Sequence, residues 1–172
     1  MGKKVAANGS AKRPDAGALE SLYVEFVKQF YEKQNHKRAE QLAPGLEKAL
    51  AESPEYARSI RGEEVRSLLA ELRGDFKEAA RSREAEIRKI LQLHALAVNT
   101  PSWDYVARQY DFSDVSDRLD LLAMLYDEQG EGERAIRILQ ESKQYCQAHA
   151  IPFDAQDLLD ELEQALTAAA KS

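Results

Sequence analysis

Apolar residues recur at steps of three and four along most of the chain, and that spacing predicts helices. In the first helix, Leu19, Leu22, Tyr23, Phe26, Val27 and Phe30 form one apolar stripe. Asn35-His36 breaks it. A second helix follows with Ala39, Leu42, Leu46, Ala49 and Leu50 inward, and Pro44-Gly45 predicts a kink or a split within it. Ser53-Pro54-Glu55 is a restart signal, because serine caps, proline suits the first helical position and glutamate favours the positive end of the helix dipole. The third helix is expected to run from there to about Leu72. Arg73-Gly74-Asp75 ends it, and Asp75 with Glu78 reads as a capping box for a long fourth helix reaching Val98.

Beyond Thr100-Pro101 lies a short helix carrying Trp103, Tyr105 and Tyr110, then a break at residues 111–114. The sixth helix, Val115 to about Glu128, is apolar on two sides and so is expected to be packed on two sides. Gln129-Gly130-Glu131-Gly132 is a turn. The seventh helix holds Ala135, Ile136, Leu139, Ser142 and Cys146 inward, and the last has one stripe through Leu158, Leu159, Leu162, Ala165, Leu166 and Ala169. No stretch alternates like a strand, so the expected fold class is all-α. The order helix, short turn, helix recurs at 19–52, 54–98 and 115–149, which suggests stacked helix hairpins.

The hairpin at 115–149 resembles a tetratricopeptide repeat. The likeness rests on Leu119, Leu122, Ala123 and Tyr126 in its first helix, Gly130 at the turn, and Ala135 and Leu139 in its second. The second hairpin matches through Val65, Leu68, Leu69, Gly74, Phe76 and Ala79, with a turn one residue short and Arg83 in place of an aromatic. The first keeps Val27, Tyr31 and Ala39 and lacks the turn glycine. The resemblance implies a right-handed solenoid of about three antiparallel hairpins, closed by a C-terminal capping helix. It also implies that the first helix of each hairpin lines a concave groove for a partner segment. Carried over, the outward positions are Glu25, Gln29, Glu32 and Lys33 in hairpin one, Glu63, Ser67 and Glu71 in hairpin two, and Asp117, Asp120, Met124, Asp127 and Glu128 in hairpin three.

Charge sharpens that expectation. Residues 1–17 carry Lys3, Lys4, Lys12 and Arg13 against Asp15, a net +3, which leaves −9 for the rest of a chain whose total is −6. The leader reads as flexible and basic, and residues 18–172 as one helical-repeat domain. An acidic body disfavours a phosphate backbone, so a specific nucleic-acid partner is not expected, and a basic protein segment is. No apolar run is long enough to span a bilayer and no secretory signal is visible, so the expected location is cytoplasmic.

Little in the chain points to catalysis. His36, His94 and His149 sit far apart, and no metal-binding cluster, phosphate loop or nucleophile motif is present, so no metal, cofactor or enzymatic role is expected. The lone Cys146 falls on an inward stripe and His94 on the apolar stripe of the fourth helix, where core roles are expected. Trp103 and Tyr105 belong to an aromatic cluster that either plugs a helix joint or offers a contact to a partner. Arg83, on an inward stripe, must be paired, and Asp120 of the sixth helix is the expected counter-ion. The leading expectation is a protein-interaction scaffold, monomeric or weakly dimeric. The alternative is a structural module that self-associates through the sixth helix or the aromatic segment.

Overall fold

The structure is a computed structural model that describes residues 16–110, 112–153 and 155–169. Over these residues the chain is helical throughout, with no strand. Most of the leader, and the acids Asp111 and Asp154, lie outside the described residues; Ala16 and Gly17 already belong to the first helix. The chain divides into two compact units, residues 1–57 and 58–172.

In the first unit, α1 (Ala16–Val27) passes into a π-helical turn (Lys28–Glu32), and α2 (His36–Glu52) packs back against both. The wider turn, closed by Lys33 N–H to the Lys28 carbonyl at 3.0 Å, rotates the residues that follow. Gln29 is thereby buried, 7% exposed, and Tyr31 faces solvent. Asn35 caps α2 by accepting from the Arg38 N–H at 3.2 Å. Pro44 does not split α2, which is continuous to Glu52. Proline lacks the N–H that would bond back one turn, yet the remaining ladder and the buried Ala39, Ala43, Leu46 and Ala49 hold the helix together. Gly45 is the close-approach point: a Cβ there would lie 2.6 Å from Leu22 Cδ2 of α1.

The helix expected from Pro54 to Leu72 is two helices, α3 (Pro54–Arg58) and α4 (Ile60–Leu72). Ser53 caps the first through the Tyr56 N–H, as its position suggests, and Ser59 caps the second by accepting from the Gly62 N–H at 3.0 Å. A serine with local acceptor geometry competes with the helix it interrupts, and here it wins.

The second unit continues with α5 (Phe76–Ala97), α6 (Trp103–Gln109), α7 (Phe112–Asp127), α8 (Gly132–Ala148) and α9 (Gln156–Ala169). Two hairpins share one closing device. Gly74 and Gly130 have φ of +71° and +69°, and the N–H groups of Asp75 and Glu131 reach back to the carbonyls of Ala70 and Tyr126 at 2.9 and 2.8 Å. That left-handed glycine with a six-to-one bond ends a helix and turns the chain antiparallel. Asp75 does cap α5 through the Glu78 N–H, but the box is not reciprocal, because Glu78 turns to Arg81.

α5 is the centre of this unit and packs on α4, α6, α7 and α8, while α8 also packs on α7 and α9. The two apolar sides of α7 are used within the unit: Leu119, Leu122 and Tyr126 are fully buried in a core shared with Ile87, Ile90, Ala135 and Leu139. Cys146 is buried in the same core, as its stripe implies. The stripe of α9 is covered only in its first half: Leu159 is buried, whereas Ala165 and Leu166 are exposed.

Tyr126 carries a cost. Its hydroxyl is buried and has no hydrogen-bond partner among the described residues, although Arg134 lies 4.9 Å above the ring. A buried, unsatisfied hydroxyl costs about 1–3 kcal/mol, so Tyr126→Phe is expected to leave stability unchanged or raise it by up to about 2 kcal/mol in urea titration. A loss of stability on this change would show that the hydroxyl is paired in solution.

Candidate functional site

Acidic side chains in the second unit fall into two groups, those that are paired inside and those that are not. The paired group starts from Arg83, one of the largest fully buried side chains. Its Nη1 donates to Glu86 Oε2 at 2.6 Å and its Nη2 to Glu71 Oε1 at 3.4 Å. Arg118 of α7 donates through Nε to the other oxygen of Glu86 at 2.5 Å and through Nη1 to the Asp114 carbonyl at 2.8 Å. Glu64 of α4 sits 4.0 Å from Arg118 and 2.7 Å from Arg61. Ser67 ends the chain of contacts, donating to the Ala79 carbonyl at 3.0 Å and lying 3.2 Å from Glu71 Oε1. Three helices are thus cross-linked by alternating charges.

This network corrects the expected partner of Arg83. Asp120 is exposed on α7, and the counter-ions are Glu86, one turn along α5, and Glu71 on α4. A guanidinium on an inward stripe takes the nearest carboxylate that costs no further desolvation, and Glu86 is already buried beside it. The network also removes hairpin two from the expected groove. Ser67 is fully buried and Glu71 faces Arg83. Glu63 is half-buried and bonded to Lys89 and Arg66, each at 2.6 Å. In hairpin one, Gln29 is buried and donates to Glu25 Oε1 at 2.8 Å, leaving Glu32 exposed.

The unpaired acids include a row along one face of α7. Asp117, Asp120, Met124, Asp127 and Glu128 are all exposed, Met124 at 64%, and their spacing places them on a single stripe. None of the four carboxylates has an ion-pair or hydrogen-bond partner among the described residues. Partial burial pushes the Asp120 carboxyl above its ordinary value, and repulsion from Asp117 and from Glu161 of α9 adds to it. The acidic face therefore spans two helices.

Aromatic residues of the insert divide between the two roles. Trp103 is half-buried, edge-on to the buried His94 ring at 5.7 Å, and His94 Nε2 bonds to the Tyr110 carbonyl. These groups plug the joint, and His94 is a core residue. Tyr105, 66% exposed, is the member left for a contact. Among the described residues no cluster of three or more His, Cys, Asp or Glu is placed to hold a metal ion, and no helix is long and apolar enough to cross a membrane.

Burial pushes the Glu86 carboxyl up from its ordinary 4.5 against the pull of Arg83 and Arg118, and burial likewise raises Glu84. For Glu63, burial also pushes upward, but the hydrogen bonds from Lys89 and Arg66 outweigh it and hold the carboxyl below 4.5. The signs follow from linkage. The folded chain keeps the Glu86 and Glu84 protons to higher pH than the unfolded chain, so their contribution falls as pH rises from 4.5 through the raised values. The Glu63 contribution is present above 4.5 and fades as pH falls below it. Urea midpoints for residues 58–172 are expected to be at least as high at pH 5 as at pH 7 and to drop below pH 4.5. Glu86→Gln is expected to flatten the slope above 4.5; an unchanged slope would assign it to other groups.

Set against known proteins, the chain matches no family model, no curated protein and no solved structure.

Proposed function

We propose that this chain is a non-catalytic interaction scaffold, with residues 58–172 forming tetratricopeptide-like stacked hairpins and the α7 face docking a basic segment of another protein. The observation that carries the reading is the row Asp117, Asp120, Met124, Asp127 and Glu128, exposed and without counter-ions, in a unit where Glu63, Glu64, Glu71, Glu84 and Glu86 are all paired with basic residues. Crowding like charges on one face costs stability, and a ligand cation offsets that cost. Met124 adds a flexible apolar contact at the middle of the row. The α4–α5 and α7–α8 hairpins, their shared glycine turns and the placing of α9 on α8 support the repeat reading. Trp103 and Tyr110 belong to the scaffold in this reading, and Tyr105 to its surface.

The test is titration calorimetry with a Lys/Arg-rich peptide carrying interspersed leucines, at low and at moderate salt. Exposed charge pairs contribute about 0.2–1 kcal/mol each, so Asp117→Asn, Asp120→Asn and Asp127→Asn together are expected to weaken binding about 3- to 150-fold. Raising salt should weaken the parent and leave the triple variant nearly unaffected. Equal binding of an acidic peptide, or salt-independent binding, would refute the proposal.

A further inference from the structure

A cleft lies between α5 and α8, away from the α7 face. Its volume is about 190 Å³. The floor is apolar, made by the buried Leu91 of α5 and Ile138 of α8, with the half-buried Tyr145 as one wall. Four polar side chains surround this floor, and none makes a hydrogen bond among the described residues. Ser142 is 5% exposed, yet its hydroxyl has no partner there. Gln92 is exposed at the rim. Arg88 and Glu141 face each other across the mouth at 3.6 Å, and the other acid near Arg88, Glu84, is at 3.7 Å. Both separations are too long for the charge-assisted hydrogen bonds these groups form when properly engaged.

An apolar floor beneath a loosely matched cation and anion is complementary to a small molecule carrying both charges and an apolar body. We propose that the α5–α8 cleft binds a small apolar zwitterion, of the kind that a free branched-chain α-amino acid represents. Its carboxylate takes the unfilled donors of the Arg88 guanidinium, and its ammonium donates to Glu141. The side chain covers Leu91 and Ile138, and Ser142 completes the contacts to the polar end. The recognition is of the concave, mostly apolar type with a few oriented polar groups. A ligand of this size in an open cleft is expected to bind with a Kd on the order of 1 mM.

Amide chemical-shift titration of the full chain tests this with four probes: leucine, leucinamide, 4-methylpentanoate and glycine. The expected result is shifts confined to α5 and α8 with leucine, and binding weaker by about tenfold for each probe that lacks the carboxylate, the ammonium or the side chain. Arg88 is exposed, so Arg88→Gln should fold normally and bind leucine no better than leucinamide. Ser142→Ala should weaken leucine without changing the order of the probes. Absence of leucine-dependent shifts up to about 10 times the expected Kd, equal binding of the truncated probes, or a carboxylate preference that survives Arg88→Gln would each overturn the proposal. The site shares no residue with the α7 face, so its failure leaves the scaffold reading intact.

Discussion

Arg83→Ala is expected to destabilise residues 58–172 by about 2–4 kcal/mol, because it takes from the fully buried Glu86 one of its two cations, leaving Arg118, and from the half-buried Glu71 the cation it faces. Glu86→Ala should cost a similar amount, leaving Arg83 and Arg118 as like charges around a void. The reason is asymmetric: two ions taken out of water together break even at best, whereas one alone keeps the whole desolvation cost. Replacing Arg83, Glu86 and Arg118 together by Met, Leu and Leu should therefore recover the larger part of the loss. Asp120→Ala, at the exposed position expected from the sequence to be the partner, should stay within about 0.5 kcal/mol. Urea unfolding of the four variants checks the set. A mild Arg83→Ala, or a triple variant as damaged as the singles, would mean that the network is hydrated in solution and carries little of the helix register.

Leu122→Ala is the second large effect, about 3–5 kcal/mol. Leu122 is fully buried on α7, between the faces that meet α5 and α8. A cavity opened there is walled on both sides by packed helices and cannot readily collapse, which places it in the upper part of the usual range for such deletions. Met124→Ala, two residues away and exposed, should change stability little and is expected to weaken the basic peptide instead. Hydrogen exchange across α5, α7 and α8 would register the difference, since loss at Leu122 should lower protection in all three helices. Protection lost in α7 alone would show that its two faces are not the shared core described above.

How far the sequence reached can be judged residue by residue. Helices at Phe76–Ala97, Phe112–Asp127 and Gly132–Ala148 follow from the three- and four-residue steps of their apolar positions, which a helix translates directly into one or two buried stripes. The turns at Gly74 and Gly130 were legible for a local reason too, since only glycine reaches that backbone region without strain. The break at Ser59 was not, because one serine among good helix formers carries no period of its own. Nor was the π-turn at Lys28–Glu32, which adds a residue to the turn and sends Gln29 inward in spite of its polarity. Outward positions were readable on α7, where a clean acidic stripe lies opposite the core. On α4 they were not, because α5 supplies Lys89 to Glu63, the Ala79 carbonyl to Ser67 and Arg83 to Glu71.

Local physics, in short, settled what the chain writes within about one helical turn: where helices start, which stripe is apolar, and where a left-handed residue must stand. Choices between partners distant in sequence belonged to the tertiary structure alone. Arg83 had many carboxylates to choose from: Glu86 stands one turn along its own helix, but it was the crossing of α4 and α5 that brought Glu71 to it, and the placing of α7 that left Asp120 in water. Period and composition have no term for that decision, because the desolvation of a charge depends on every helix around it at once.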